Sequence, residues 1–316
     1  MARLTDSVLG HETIWANLVR QMNLGHLPHA LAFAGPSGIG KKRVALAFAQ
    51  ALICERADRP CGECGPCRRV ASLQSESLLM IEPEKGTIKL ESTRQILEFL
   101  TLQRIGRARV IIIDCAQAMN PQATNALLKV LEEPPPETYF ILVVSELSQL
   151  LPTLRSRVQV LRFSPLTDEQ MKNADSTSPD TPEWMVRSAR GSLEQLASFR
   201  DEVSEEIRAL TLNYIGGALE GRREGLDFLL DRTKDRAVAL SAIHFIQQLF
   251  RDWSILETGM VIHSDLTPRL RTLRPLADET KIELWRRAFQ IEQDFRAHVD
   301  RALLFENFYY GLKSAQ

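Results

Sequence analysis

The sequence predicts an α/β chain that turns all-helical towards its C-terminus: a parallel-sheet domain over 1–165, a small helical domain over 166–203 and a helical domain over 204–316. Three observations predict it. Short apolar runs alternate with amphipathic helical stretches up to about residue 165, as parallel strands covered on both faces require. The polar, proline-bearing stretch KNADSTSPDTP (172–182) then breaks the pattern as a loop. From about residue 201 the text carries helical periodicity almost throughout. A length of 316 residues exceeds one ordinary core, which agrees with two or three domains.

Taken in order, HALAFAG (29–35) is a short apolar run ending in glycine, a buried strand. KKRVALAFAQALI follows with Val44, Phe48, Ala51 and Leu52 at helical spacing. ESTRQILEFLTLQ (91–103) reads as a helix with Ser92 and Gln95 as its capping box and Ile96, Leu97 and Leu100 on one face. RVIIID (109–114) is a second buried strand. NPQATNALLKVLEEPPP (120–136) is a bounded helix: Asn120 caps it, Pro121 suits its first turn and Pro134 stops it. YFILVVS (139–145) and VQVLRF (158–163) are further strands. EWMVRSARGSLEQLASF is a short helical region. RAVALSAIHFIQQLFRDWSIL (236–256) carries Ala242, Phe245, Ile246, Leu249 and Trp253 in step, and 279–312 holds one or two long amphipathic helices. Breaks fall at EGRREG and SDLTPRLRTLRP.

A net charge of -1 gives no overall field towards nucleic acid or membrane, so such contacts need a local patch. No apolar run approaches a membrane span, and the N-terminus lacks the apolar core of a secretion signal. The expected location is the cytoplasm, where the five cysteines stay reduced or bind metal.

GPSGIGKK (35–42) nearly matches the phosphate-binding pattern G-x-x-x-x-G-K-[ST], through Gly35, Gly38, Gly40 and Lys41. Its glycines let backbone N–H groups face phosphate oxygens, and the helix that follows adds its positive end. The bland alternative is a tight strand-to-helix turn that binds nothing. Asp114, ending a strand, suits the acidic partner of Mg²⁺. The hydroxyl ligand is missing, because Lys42 stands in its place; its ammonium either repels the ion or points to solvent. Where many such ATPases carry a glutamate after the strand-ending aspartate, this chain has Cys115, which cannot serve as the base. The expectation is a degenerate site, able to bind ATP or ADP and poor at hydrolysis.

Cys54, Cys61, Cys64 and Cys67 are spaced C-x₆-C-x₂-C-x₂-C, which suits a closed, structural Zn²⁺ site. Gly62 and Gly65 allow tight turns there, and Arg59, Arg68 and Arg69 offset its negative charge. A redox thiol pair, an iron–sulfur cluster or free cysteines are the alternatives. In LPTLRSRV (151–158), Arg155 and Arg157 read on charge alone as solvated arginines, although arginine also stabilises phosphoryl transfer in a neighbour.

Several stretches together resemble bacterial clamp-loader subunits of the AAA+ family: the opening 8–54, NALLKVLEEPP with LPTLRSR, the four-cysteine insertion and the tail VDRALLFENFYYGL. The resemblance is strong over 8–165 and weaker beyond. It implies a RecA-like AAA+ domain with a small helical lid and an all-α collar. It also implies a hetero-pentameric ring with gamma/tau motor subunits and a delta subunit, which opens the sliding clamp and places it on primed DNA in the DNA polymerase III holoenzyme. Lys42 and Cys115 place the chain with a non-hydrolysing, stator-type member rather than with the motors.

Ser156 and Arg157 match the first two residues of the family's Ser-Arg-Cys motif, and Val158 departs from the third. The resemblance makes Arg157 an arginine finger acting on the neighbouring subunit's ATP and leaves Arg155 a bystander. Ser145 falls near a sensor position, and Arg190 is offset from the second sensor. Two competing expectations are an ATP-hydrolysing motor, against which Lys42 and Cys115 argue, and a stand-alone zinc-dependent DNA-binding or thiol-redox protein, against which the near-neutral charge argues.

Overall fold

A computed structural model of the chain describes residues 3–174, 181–200 and 202–315. The chain forms two compact units, Met1–Ala174 with Gly191–Leu193, and Asp175–Arg190 with Glu194–Gln316.

The first unit is built on a sheet that, among the described residues, has five strands: β1 (Ala30–Ala34), β2 (Leu78–Ile81), β3 (Arg109–Ile113), β4 (Thr138–Val144) and β5 (Gln159–Arg162). Their order is β2-β3-β4-β1-β5, with every pair parallel. The alternation of side chains along a strand sorts the apolar runs onto two faces. Leu31, Phe33, Val110, Ile112, Ile141 and Val143 pack with Val44, Phe48 and Leu52 of helix Lys41–Ile53. Ala30, Ala32, Ile111, Ile113, Phe140 and Leu142 pack with Ile96 of helix Leu90–Thr101 and with Ala123, Leu127 and Leu131 of helix Pro121–Glu132. Burial on both faces is why these strands read as continuous apolar runs.

Asn120 caps helix Pro121–Glu132 as expected, its side chain accepting from the Ala123 N–H at 2.8 Å. The capping box at Ser92 and Gln95 does not form. Helix Leu90–Thr101 starts earlier, with Lys89 at its N-cap and no side-chain cap. A main-chain bridge fixes the entry instead: Ile88 N–H donates to Ala118 O at 2.9 Å, and Asn120 N–H donates to Ile88 O at 3.0 Å. The expected loop 172–182 is shorter than its composition suggests. Residues 172–174 close helix Asp168–Ala174, and 175–180 lie outside the described residues.

The second unit is helical. Helices Glu202–Leu219, Arg236–Ser254, Asp278–Arg296 and Arg301–Ser314 surround a core of Tyr214, Phe245, Phe250, Leu284, Phe305 and Phe308. The long C-terminal stretch resolves as two helices, and Asp300 caps the second by accepting from Ala302 N–H at 2.9 Å. The break at 264–275 carries a short helix of its own, Thr267–Thr272. No helix of the described residues is long and apolar enough to cross a membrane.

Candidate functional site

The loop 35–40 joins β1 to helix Lys41–Ile53 at the C-terminal end of the sheet. Gly35 N–H donates to Val144 O at 3.1 Å, tying the loop to β4. A Cβ on Gly35 would lie 2.3 Å from Phe163 O, so only glycine fits. Gly40, at φ 98, takes the left-handed turn into the helix. Lys41 is 5% exposed, and its ammonium donates to the loop's own carbonyls, Gly35 O at 2.7 Å and Pro36 O at 2.5 Å.

Lys42 is the informative residue. Its ammonium lies 3.1 Å from Asp114 Oδ2 and also pairs with Glu82. Burial works against this cation, but the hydrogen bonds it donates to Glu82 and Asp114 outweigh that and hold its pKa above the ordinary lysine value. The side chain therefore neither points to solvent nor stands idle beside the carboxylate: it binds it. Position 42 and the strand-ending aspartate are the two protein positions that hold Mg²⁺ in loops of this pattern. Here they are joined to each other, so the residues present do not fit the divalent ion. Glu82 was not legible in the sequence, because strand β2 was not; the pairing of β2 with β3 puts the residue after Ile81 beside the residue after Ile113.

Cys115 does not replace the missing base. It adopts φ 50, its N–H donates to Asp114 Oδ1 at 2.9 Å, and burial followed by the charge of Asp114 pushes its thiol pKa up. Its thiolate is disfavoured. Ser145 accepts from Gln117 Nε2 at 2.7 Å, a link between the chain ends leaving β3 and β4.

The four spaced cysteines converge. Cys54 caps the end of helix Lys41–Ile53, Cys64 caps the start of helix Gly65–Ala71, and Cys67 lies within that helix. Gln50 locks the arrangement by donating to Cys67 O at 2.9 Å and accepting from Leu4 N–H at 3.0 Å. All four sulfurs lie within 4.8 Å of one another. Three separations are 3.7 Å (Cys54–Cys61), 3.9 Å (Cys54–Cys64) and 3.9 Å (Cys61–Cys67). A tetrahedral Zn²⁺ with Zn–S bonds of about 2.3 Å sets its sulfurs about 3.8 Å apart. The donor set and its spacing thus fit such an ion, held by Cys54, Cys61, Cys64 and Cys67. Backbone N–H groups of Cys64 and Glu63 draw the Cys61 thiol down to about 6, whereas burial pushes Cys54 and Cys67 up. A bound dication is the natural means of ionising all four. Of the arginines expected to offset their charge, Arg69 pairs instead with Glu76 at 3.1 Å.

Arg157 follows the short helix Pro152–Arg155 and leads into β5. Its Nε donates to Glu132 Oε1 at 2.8 Å and its Nη1 to Thr153 O at 2.9 Å, which fix the guanidinium at the surface. Arg155 is exposed. Arg190, also exposed, lies in the second unit, at φ 47.

Comparison with known proteins gives this geometry a context. The family described as "DNA polymerase III, delta subunit" matches residues 10–167, half of the chain. DNA polymerase III subunit delta' of Pseudomonas aeruginosa is 38% identical over 161 residues, 49% of this chain and 48% of that protein. DNA polymerase III subunit tau of Escherichia coli is 31% identical over 207 residues, 62% of this chain and 32% of that protein. Subunit delta' of Bacillus subtilis is 25% identical over 261 residues, 79% of each chain. The chain thus spans about half the length of the first of these relatives and a third of the second.

Proposed function

Because the chain belongs to the DNA polymerase III delta-subunit family and is delta'-like among its clamp-loader subunits, we propose that it is a stator: a subunit that completes a neighbour's ATPase site and turns over little or no ATP itself. The observation that carries this reading is the pairing of Lys42 with Asp114 at 3.1 Å, which takes both protein positions of the metal out of use. Cys115, with its raised thiol pKa, supplies no base. In this reading ATP or ADP at Gly35, Gly38, Gly40 and Lys41 is a bound ligand and not a substrate.

Arg157 is the arginine finger of the same proposal. Its anchoring by Glu132 and Thr153 supports a role that needs a surface guanidinium held in one place. The partners are gamma/tau motors and a delta subunit in a hetero-pentameric ring, acting on the sliding clamp and primed DNA. Residues 166–203 serve as an AAA+ lid, 204–316 as the collar, and the four cysteines hold structural Zn²⁺.

The test is reconstitution with motor and clamp-opening subunits, followed by DNA-stimulated ATPase. Arg157→Ala is expected to lower the rate at the adjacent site by about 10³-fold or more, with assembly unchanged by gel filtration. A preserved rate sinks the finger. The second reading, a gamma/tau-like motor, draws on the 31% identity with subunit tau. It requires the isolated chain to hydrolyse ATP, and hydrolysis at motor-like rates would replace the stator reading.

A further inference from the structure

A second cluster of charge lies at the opposite end of the sheet from loop 35–40. There a cleft of about 540 Å³ is lined by Arg59, Arg104, Arg107, Glu137 and Tyr139, with Met22 and Leu27 among its apolar walls. Arg59 comes from the cysteine insertion, between Cys54 and Cys61. Arg104 and Arg107 come from the segment joining helix Leu90–Thr101 to β3. Tyr139 lies at the start of β4, and Glu137 immediately precedes that strand. The cleft therefore forms where β3 and β4 begin, whereas Asp114 and the glycine loop lie where strands end.

Arg157, Arg187, Arg208, Arg223, Arg232 and Arg296 each pair with a carboxylate. Among the described residues, no ion pair or hydrogen bond to protein engages Arg59, Arg104 or Arg107, although Arg59 and Arg107 are close enough to repel. The one carboxylate in the lining, Glu137, accepts from Tyr139 OH at 3.3 Å. Glu55 Oε1 also lies beside Gly106, between Arg104 and Arg107, so three guanidiniums outnumber two carboxylates, an arrangement that an external anion relieves. The guanidinium fork matches phosphate oxygens two at a time. Two of the three, Arg104 and Arg107, are exposed, so a chain can pass over them. The Tyr139 ring and the apolar wall offer a face for a base or sugar.

We propose that this cleft binds the phosphate backbone of a single-stranded nucleic acid, and that the metal-binding insertion serves it by presenting Arg59. With a net charge of -1 on the whole chain, binding here is a local effect.

The experiment is fluorescence anisotropy of a labelled oligothymidylate with the full-length protein over a salt series, with pyrophosphate as a second probe. Wild-type protein is expected to bind saturably and to weaken as salt rises, with a slope of about 2 in log K against log salt for three phosphate contacts. The exposed-site double variant Arg104→Ala/Arg107→Ala is expected to bind about tenfold more weakly or worse and to lose about 1.4 from that slope, with metal content and circular dichroism unchanged. Equal affinity and slope in the two proteins overturn the proposal, as does absence of binding by the wild type. Binding of pyrophosphate without oligonucleotide also overturns it, in favour of a small-anion site. None of these readouts depends on Arg157 or on ring assembly, so the stator reading stands or falls separately.

Discussion

At the scale of single residues, position 42 decides the character of the nucleotide loop. A hydroxyl there would give Mg²⁺ a ligand; an ammonium bound to Asp114 and Glu82 removes one instead. Lys42→Thr frees both carboxylates and restores the hydroxyl. This variant is expected to acquire Mg²⁺-dependent binding of a fluorescent ATP analogue, while hydrolysis stays low because Cys115 remains. Titration with and without EDTA checks this; a variant indifferent to Mg²⁺ would show that Lys42 is not what excludes the ion. The mismatch at 42 was plain in the sequence, and so was the cysteine after Asp114. The partner Glu82 was hidden, because it is brought to Lys42 by strand order across 40 residues of chain. Spacing within a motif reports neighbours along the chain and says nothing of neighbours across a sheet.

At the scale of elements, the cysteine insertion is a short loop between two helices with hardly any apolar core beyond its own sulfurs and the nearby Val70. Such a segment needs a cross-link. One Zn²⁺ per chain is expected from elemental analysis of gently purified protein. Cys67→Ser is expected to lose the metal and to lower the melting temperature, since its sulfur is fully buried. A chelator should do the same to the wild type; protein free of metal with an unchanged melting point would refute a structural ion. The elements best read from sequence were those whose signal is local. Asn120 and Pro121 mark a helix start whatever surrounds it. The pair Ser92 and Gln95 had the same local form and failed, because the bridge at Ile88 starts that helix before the capping residue. Strand β2, LLMI, is apolar but only four residues long and half-buried at the edge of the sheet, and it passed unread beside β1 and β3, whose residues are fully buried.

At the scale of the whole molecule, the helical unit carries a polar network that makes its stability depend on pH. His263 is fully buried. Its Nδ1 lies 3.3 Å from Arg208 Nη1 and its Nε2 lies 2.9 Å from Gln248 Oε1. Arg208 can only donate, so Nδ1 accepts and Nε2 donates: the neutral ring satisfies both. A second proton would face the guanidinium. Burial, then the charge of Arg208, lowers the His263 pKa to about 3. Between the ordinary value near 6.5 and that value, the unfolded chain binds one more proton than the folded one, so stability falls as pH drops. The loss is expected to be at most about 1.4 kcal/mol per pH unit. Urea denaturation followed by tryptophan fluorescence at pH 7 and pH 5 measures it, and His263→Gln should flatten the dependence; equal slopes would remove His263 as its source. The sequence announced this unit as helical from its periodicity, but not this network, whose members come from residues 188, 208, 248, 252, 263 and 265. Charge and amide residues scattered through helical text look like solvent faces until the helices are packed.

The contact between Gly35 and Phe163 has one more consequence. Phe163 O leaves no room for any side chain at position 35, and that crowding comes from how β1 meets the chain leaving β5, with no phosphate involved. The first glycine of the motif is therefore demanded twice, once by ligand geometry and once by the architecture of the sheet. A protein of this fold with no turnover at all would still be obliged to display it. Such a signature certifies how a strand hands over to a helix; the evidence of use has to be sought at the residues that architecture leaves free to vary, and here the first of those is Lys42.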